Sequence, residues 1–426
     1  MPAFARPPQA VVVLQHVQDS AALRHVRAVL VRAPHVKLHQ LQRLDERLAA
    51  HLDGVAVAGP YGAQRCAEAL ERPGAGEVFA AAATAIEAHD TATFERLVAL
   101  AGALPEARRG LLSALGWVSA AQLKGIVSPL LAAADPLHRS LGLGACRMHH
   151  ADPGAVLATA LGDADLVLRL EALRCASALG RTDLLSQVQA AGAAPELAFH
   201  VALAACLLGD RSAALDVLSA VAQGESAHAT EACATVLQAA DLARAQALVR
   251  DLAKAGRDTP AGLRRLVRAC GALGDPHFVP WLIDLMRDDT VARLAGESFS
   301  MITGADLAAL DLERKPPEGI EFGPNADPLD QAVALDEDES LPWPEHAKVQ
   351  GWWRLRAASM PAGSRFFVGV PPSPEQLGRV LREGFQRQRI AAARQRCLLQ
   401  PGSALFATAA PAWRQQRRVL ASMAAA

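Results

Sequence analysis

The residues best suited to chemistry lie between Gly274 and Gly304, in the stretch GDPHFVPWLIDLMRDDTVARLAGESFSMITG. This stretch brings Asp275, His277 and Glu297 close together in sequence. Carboxylate and imidazole groups are the usual proton donors and acceptors in general acid–base catalysis. Whether such groups can act together depends on the elements that carry them.

The spacing of the same stretch is typical of two packed helices and a link. Gly-Asp-Pro at 274–276 suits the end of one helix and the start of the next, because Gly favours a C-cap, Asp an N-cap and Pro the first turn. Asp288 and Asp289 are predicted to cap the following helix. Glu297 is predicted to pair with Arg293 at i,i+4 spacing. These structural roles favour a building block over a catalytic site.

Helices that end in glycine recur along the chain. Equivalent helices end at Gly180, Gly209, Gly274 and Gly304, in steps of 29, 65 and 30 residues. The long step fits two repeats, one of which has lost its glycine near Ala240. A period near thirty predicts helical hairpins that stack as an α-solenoid.

Composition also favours an all-α fold. The chain has 426 residues, of which 51% are apolar and only 4% aromatic. Ala and Leu dominate and are strong helix formers, whereas alternating β-branched runs are short. At this length a single core is not expected, so the chain is predicted to be modular.

Charge, cysteine usage and apolar runs argue against a strongly basic nucleic-acid binder, a disulfide-rich protein and a membrane-spanning protein. The net charge of −1 gives no global attraction to nucleic acid or to an anionic membrane. The seven cysteines include no C-x-x-C pair and sit in apolar helical contexts, which predicts buried thiols and a cytoplasmic protein. The longest apolar stretch, LAFHVALAACLLG, is too short to span a membrane.

The repeats resemble the HEAT-like repeats of bacterial proteins, in which an Ala-rich helix has Arg near its start and Leu-Gly-Asp at its end. The residues that carry this resemblance are Leu168-Arg169, Ala172, Ala176, Ala178-Leu179-Gly180, Leu273-Gly274-Asp275 and Val291 to Gly304. The repeat match extends over 130–304 and bears on the fold.

More of the chain resembles one bacterial family, known mostly as conserved hypothetical HEAT-like proteins. Some of its members look to be encoded beside type VI secretion genes. The matching residues are Leu44 to Arg47 with Ala50 to Gly54, Ala58-Gly59, Gly296 to Phe299 with Ile302 to Leu307, Phe366 to Pro371, Leu381 to Gly384, and Pro401-Gly402 with Leu405-Phe406. The resemblance implies a lineage and carries over no catalytic residue.

After Gly304 the repeat pattern stops. Residues 305–350 hold twelve acidic residues against three basic ones and are rich in proline, which excludes long helices. Residues 351–426 hold twelve arginines, no lysine and two glutamates. We therefore predict four parts: an N-terminal helical region with degenerate repeats (1–125), a HEAT-like array (126–304), an acidic insertion (305–350) and an Arg-rich C-terminal helical region (351–426).

Three tryptophans flank the junction between the acidic and basic parts. In one interpretation the acidic insertion folds back on the Arg-rich part and the tryptophans pack it down. In another this region binds a protein partner, because Trp and Arg are enriched in binding hot spots. A nucleic-acid patch is a third alternative. The candidate partner-binding residues are Trp343, Trp352, Trp353, Arg354, Arg356, Arg387 and Arg389.

The segment 374–402 resembles the opening stretch in its pattern. We predict another helical hairpin there, which continues or caps the array. Within it Cys397 follows Arg394 and Arg396 and could have a lowered pKa, although core packing is the favoured interpretation.

The other candidate motifs are weak. His149-His150-x-Asp152 could offer metal ligands, but it is predicted to lie at a helix end with no second ligand cluster. Neither a phosphate-binding G-x-x-x-x-G-K-[ST] loop nor a G-x-S-x-G elbow occurs. We expect no metal and no cofactor.

The sequence favours a non-enzymatic scaffold or adaptor that binds a protein partner. By resemblance, that partner is expected to be a type VI secretion effector during loading or assembly. The alternative is an enzyme acting on nucleic acid, of the DNA glycosylase type, in which Trp281 and Asp284 on a repeat helix would take part.

Overall fold

The computed structural model describes residues 8–319 and 336–424. Within these two ranges the chain forms 22 α-helices and no β-strand, with isolated bridges between Glu313 and Pro344 and between Phe367 and Val370. The predicted all-α class is confirmed. The acidic insertion is described only at its two ends, so its centre at 320–335 lies outside the described residues.

The chain divides into two compact units. One unit contains Met1–Gly209 together with Gln400–Ala426, and the other contains Asp210–Leu399. The boundaries predicted after residues 125, 304 and 350 stay predictions.

Unit 1 is built from helices that pair in succession. Its α-helices are α1 (Ala10–Leu30), α2 (Leu38–Val57), α3 (Pro60–Ala69), α4 (Ala75–Glu87), α5 (Thr91–Ala103), α6 (Pro105–Trp117), α7 (Val127–Ala132), α8 (Pro136–His149), α9 (Ala155–Leu161), α10 (Leu166–Leu179), α11 (Leu185–Ala190), α12 (Ala198–Leu207) and α22 (Ala412–Ala424). Short 3-10 turns cover Thr182–Leu184, Ala191–Ala193 and Pro195–Leu197. From α5 onward each odd-numbered helix packs on the next even-numbered one, and α4, α6, α8, α10 and α12 pack on one another in order. Alanine-rich faces, as on α4, allow this close approach.

Unit 2 repeats the pairing. Its α-helices are α13 (Ala213–Gln223), α14 (Ala229–Ala239), α15 (Leu242–Gly256), α16 (Pro260–Leu273), α17 (Val279–Leu285), α18 (Ala292–Thr303), α19 (His346–Arg354), α20 (Pro374–Glu383) and α21 (Gln386–Leu399), with 3-10 turns at Pro276–Phe278 and Ala357–Ser359. Helices α14, α16 and α18 pack in order, and each receives its preceding odd-numbered helix. The hairpin predicted at 374–402 is confirmed as α20 and α21, and α21 packs against α14.

Left-handed glycines end three of the even-numbered helices, as the sequence predicts, whereas α12 ends at Leu207 with Leu208 as its C-cap, one residue before the predicted Gly209. Gly180, Gly274 and Gly304 follow α10, α16 and α18 with φ of 69°, 78° and 74°. Only glycine adopts this conformation without steric cost. Asp275 caps the next turn by accepting a hydrogen bond from the His277 amide at 3.0 Å.

A segment from the C-terminal part of the chain packs directly on two of these caps in unit 2. The Phe366 amide donates to the Gly274 carbonyl oxygen at 2.8 Å, and the Val368 amide donates to the Met301 carbonyl oxygen at 2.8 Å. A Cβ atom at position 274 would clash with the Phe366 carbonyl oxygen, and one at 304 would lie 2.7 Å from the Val368 carbonyl carbon. Glycine is therefore needed for the approach as well as for the cap.

Unit 1 uses the same arrangement at Gly180. A Cβ atom there would clash with the carbonyl oxygen of Gly402, and the Leu405 amide donates to the Ala178 carbonyl oxygen at 2.9 Å. Ala412, at the start of α22, donates its amide to the fully buried carboxylate of Asp45 at 2.7 Å. The C-terminal residues of this unit are part of its core.

Two local predictions in the opening stretch are wrong. Glu297 pairs with Arg387 at 2.8 Å, and Arg293 pairs with Asp336 at 2.7 Å, so the expected i,i+4 pair does not form. Asp288 accepts hydrogen bonds from Thr290 and caps the turn before α18, whose own N-cap is Val291. Long-range partners replace the local pair of Glu297 and Arg293, whereas Asp288 has a local partner in Thr290.

All seven cysteines lie in the described residues and all are buried, as predicted. Burial raises the pKa of the Cys66 and Cys146 thiols to about 11. Cys397 is 1% exposed, which confirms core packing. Among the described helices, none is long and apolar enough to cross a bilayer.

Replacing Gly274 by Ala tests the glycine contact. Gly274→Ala adds both left-handed strain and a clash with Phe366, so we expect the free energy of unfolding to fall by about 3 kcal/mol or more. Gly319→Ala is the matched control, because Gly319 has φ of 74° but no atom within 4 Å of the added Cβ. It should cost only about 1 kcal/mol. Equal losses in urea unfolding would contradict the contact.

Candidate partner-binding surface

Trp343 is held between two arginines. It is 8% exposed, and the guanidinium carbons of Arg293 and Arg314 lie 4.7 and 5.4 Å from its ring centroid. Arg314 also donates its amide to the Trp343 carbonyl oxygen at 2.8 Å and forms an ion pair with Asp289. Trp343 is thus a packing residue that fixes the end of the acidic insertion.

Trp352 and Trp353 lie side by side on α19 but face different surroundings. Trp353 is 9% exposed. Trp352 packs edge-on against Phe299, with ring centroids 5.7 Å apart, and the guanidinium of Arg356 covers it at 4.2 Å. Its buried Nε1 finds no acceptor among the described residues. Trp352 therefore contacts the core of unit 2 through Phe299 and the surface residue Arg356 on its other side.

The C-terminal end of α19 presents an exposed apolar residue between two cations. Leu355 is 84% exposed, and Arg354 and Arg356 on either side of it are exposed too. Arg354 contacts Gln350 of its own helix at 3.1 Å. We define Trp352, Arg354, Leu355 and Arg356 as the α19 patch. It combines apolar surface with two positive charges.

The remaining two candidates are engaged inside unit 2. Arg389 has no exposed surface; it donates to the Leu381 carbonyl oxygen at 2.8 Å and contacts Gln386. Burial lowers its pKa to about 10. Arg387 pairs with Glu297 at 2.8 Å. Burial raises the pKa of Glu297, and Arg387 opposes that shift. Both arginines hold the α20–α21 hairpin in place.

Four arginines surround the acidic strip Asp336-Glu337-Asp338. We define them as the arginine cradle: Arg264, Arg268, Arg293 and Arg387. Arg264 grips the Asp338 carboxylate with two nitrogens, at 2.7 and 2.8 Å. Arg268 reaches Glu337 at 2.6 Å, Arg293 reaches Asp336 at 2.7 Å, and Arg387 donates to the Glu337 carbonyl oxygen at 3.2 Å.

The arginine cradle is partly shielded from water, so whether its ion pairs stabilise unit 2 depends on their hydrogen-bond geometry. The side chains of Asp338 and Arg293 are 4% and 7% exposed. Buried ion pairs are favourable only when further hydrogen bonds satisfy both partners, as the forked Arg264–Asp338 contact does. The hydrogen bond from Arg268 lowers the pKa of Glu337, and the one to Asp338 raises the pKa of Arg264.

The cradle corrects one detail of the intramolecular interpretation. The described end of the acidic insertion does fold back on arginines, but three of the four come from α16 and α18. Only Arg387 comes from the Arg-rich C-terminal region. The run LRRLVR at 263–268 carried the signal for Arg264 and Arg268, yet nothing local in it points to an acidic partner 70 residues away.

The other candidate groups have structural surroundings. His149 lies at the end of α8, with its Nε2 2.8 Å from the Leu115 carbonyl oxygen, and His150 is the left-handed C-cap. Over the described ranges, no group of three or more His, Cys, Asp and Glu side chains could hold a metal ion. Asp284 on α17 is exposed, and its Oδ1 lies 4.0 Å from the His346 Nε2; Trp281 is half-buried.

No family model, curated protein or solved structure matches this chain.

Breaking the Arg264–Asp338 contact tests the cradle. Asp338→Asn keeps the shape but leaves a partly buried guanidinium without its carboxylate, so unfolding free energy should fall by about 2–3 kcal/mol. Glu339→Gln, at an exposed neighbouring position, is the control and should change it by less than about 0.5 kcal/mol.

A double-mutant cycle with Arg264→Gln isolates the pair. We expect a coupling free energy of at least about 1 kcal/mol from urea unfolding. A coupling near zero would show that the cradle does not stabilise unit 2.

Proposed function

We propose that this protein is a non-enzymatic scaffold that binds a protein partner through the α19 patch. The observation that carries the proposal is Leu355, which is 84% exposed between two exposed arginines. A single exposed leucine needs no explanation. One beside an anchored tryptophan and two guanidinium groups has the composition of a binding hot spot.

The chemistry of the patch favours an acidic segment with apolar side chains as its occupant. Two guanidinium groups attract carboxylates, and Leu355 offers apolar area to an aliphatic or aromatic neighbour. The arginine cradle supports this choice, because the same unit already binds an acidic segment of its own chain through arginines, one of which also contacts Trp343 of that segment. The proposed partner would repeat that chemistry in trans.

The proposed architecture is an α-solenoid of HEAT-like hairpins. It is supported by the ordered packing of α4, α6, α8, α10 and α12 in unit 1 and of α14, α16 and α18 in unit 2, each with its preceding helix. Stacked hairpins offer extended surfaces for partners rather than deep reactive pockets. From the resemblance in sequence, we further propose that the partner is a secretion effector, bound during loading or assembly.

Site-directed photo-crosslinking tests the patch. A benzophenone amino acid at Leu355, in the full chain expressed in a bacterial cell, should capture one protein that the same probe at Leu310 does not. Leu310 is the matched control, because it is an exposed leucine (46%) of the same unit. The purified partner should then bind Leu355→Ser at least about tenfold more weakly than the wild type.

Charge reversal separates the candidate occupants. The double variant Arg354→Glu/Arg356→Glu should weaken binding of the captured protein by a similar factor. Binding of that protein to the wild type should also become weaker as the salt concentration rises. Capture at both positions alike, or unchanged affinity in the variants, would contradict the proposal. Salt-dependent binding of DNA that is lost in the same variants would instead favour the nucleic-acid alternative.

A further inference from the structure

Unit 1 contains an open cavity of about 430 Å³, whose lining shares no residue with the α19 patch. Its walls come from α1, α4, α6, α8 and the segment 405–414. Five arginines line it: Arg24, Arg27, Arg32, Arg147 and Arg414. Cavities of 300–1,000 Å³ are the size that small-molecule ligands occupy.

The positive charge of this cavity is only partly compensated by the protein. Arg27 pairs with Asp45 at 2.6 Å and Arg147 pairs with Glu171 at 2.6 Å, both carboxylates being behind the lining. Among the described residues that form the lining, none is Asp or Glu. The cavity therefore presents guanidinium groups without a carboxylate of its own.

Two further arginines are held by uncharged acceptors. Arg24 donates to the Ser113 hydroxyl at 2.8 Å and to the Arg109 carbonyl oxygen at 3.4 Å. Arg414, which is 8% exposed, donates to the carbonyl oxygens of Gly116 and Val118 at 2.8 and 2.9 Å. These contacts fix both guanidinium groups in place. The charge of Glu106 acts on Arg24, although burial still lowers the Arg24 pKa, whereas the oxygens that accept from Arg414 carry no formal charge.

The surroundings already resist further positive charge. Burial, then the charges of Arg418, Arg417 and Arg27, lower the pKa of Arg414 to about 10. Burial, then Arg418, Arg147, Arg414 and His149, lower the pKa of His150 to about 4, so His150 is neutral at pH 7. An anion placed among these groups would be stabilised by the same field that disfavours protonation.

The rest of the lining is apolar and partly aromatic. Phe79 and Trp117 meet edge to face with ring centroids 5.9 Å apart, and Leu48 and Met148 lie beside them. Arg27 also stands over the Trp117 ring at 5.7 Å. The cavity thus offers charge and an apolar wall together.

We propose that this cavity binds a phosphate-bearing small molecule with an apolar or aromatic body, the class to which mononucleotides belong. Several guanidinium groups in the lining of one cavity suit a phosphate, which carries more charge and more acceptor oxygens than one carboxylate. The Phe79–Trp117 wall suits the ligand's body. Nothing in this arrangement requires a chemical step, so the ligand is bound and not transformed.

Calorimetric titration with three probes tests the inference on the full chain. AMP and pyrophosphate carry phosphate, whereas adenosine supplies the same aromatic body without it. We expect AMP to bind at least about tenfold more tightly than adenosine, because phosphate supplies charge-assisted hydrogen bonds. Arg24→Gln and Arg32→Gln should each weaken AMP binding by a similar factor. Urea unfolding of each variant checks that the fold is kept, and Arg32 is an exposed residue of the lining.

Arg72→Gln is the matched control, because Arg72 is exposed in the same unit but does not line the cavity. It should leave AMP affinity within about twofold. In the wild-type chain, NMR titration of the His150 ring should show its pKa rising when AMP is bound, since the added anion favours the imidazolium. A protein that merely lost stability in the arginine variants would not show this rise.

Four results would each overturn the proposal. One is that neither AMP nor pyrophosphate binds at millimolar concentration, and another is that adenosine binds as tightly as AMP. A third is that Arg24→Gln and Arg72→Gln change AMP affinity equally. The fourth is that AMP binding leaves the pKa of His150 unchanged.

Discussion

The rest of the structure depends on the absence of a side chain at the glycine caps. Gly274 and Gly304 hold positive φ, and their missing Cβ atoms leave the room in which the backbone at 366–368 packs and donates hydrogen bonds. Gly180 does the same for Gly402 in unit 1. In each unit a cap that ends one helix is also the place where a distant part of the chain joins. The same glycines therefore end a helix and make room for a segment that is distant in sequence.

This constraint explains which features the sequence could predict. The glycine period, the helical periodicity and the hairpin at 374–402 are local signals, and local physics determines caps and amphipathic faces. Glu297 illustrates the limit. Its i,i+4 neighbour Arg293 is available, but the fold brings Arg387 to Glu297 and Asp336 to Arg293. A pairing rule based on spacing cannot know which charges the tertiary fold will bring closer.

The candidate site shows the same division. The sequence indicated that Trp343 and Trp352 matter, and the structure gives each an arginine over its ring. The sequence analysis also named Arg389 as a partner-binding candidate, although the structure buries that side chain completely. Arginine is amphipathic enough to serve inside or outside, so its burial depends on which carbonyl groups the fold leaves without donors. The sequence analysis did not predict the cavity of unit 1, because its arginines come from three separate segments, around residues 24–32, 147 and 414.

A net charge of −1 conceals strong local charge of both signs. In unit 2 an acidic strip and four arginines neutralise one another, while in unit 1 five arginines surround a cavity with fewer carboxylates close by. We expect the first arrangement to stabilise the fold, and we propose that a bound anion supplies negative charge to the second. A ligand site is therefore more plausible in the unit 1 cavity than in the arginine cradle, because the acidic strip already occupies the cradle.

Amide hydrogen exchange on the intact chain tests the central claim, that the C-terminal segments are integral to the repeats they contact. The amides of Phe366, Val368 and Leu405 donate to the carbonyl oxygens of Gly274, Met301 and Ala178. They should therefore exchange as slowly as the helix amides beside those caps, at rates that follow unfolding of the unit. Exchange of these three amides at the rate of an unstructured chain, with the helices still protected, would contradict the account.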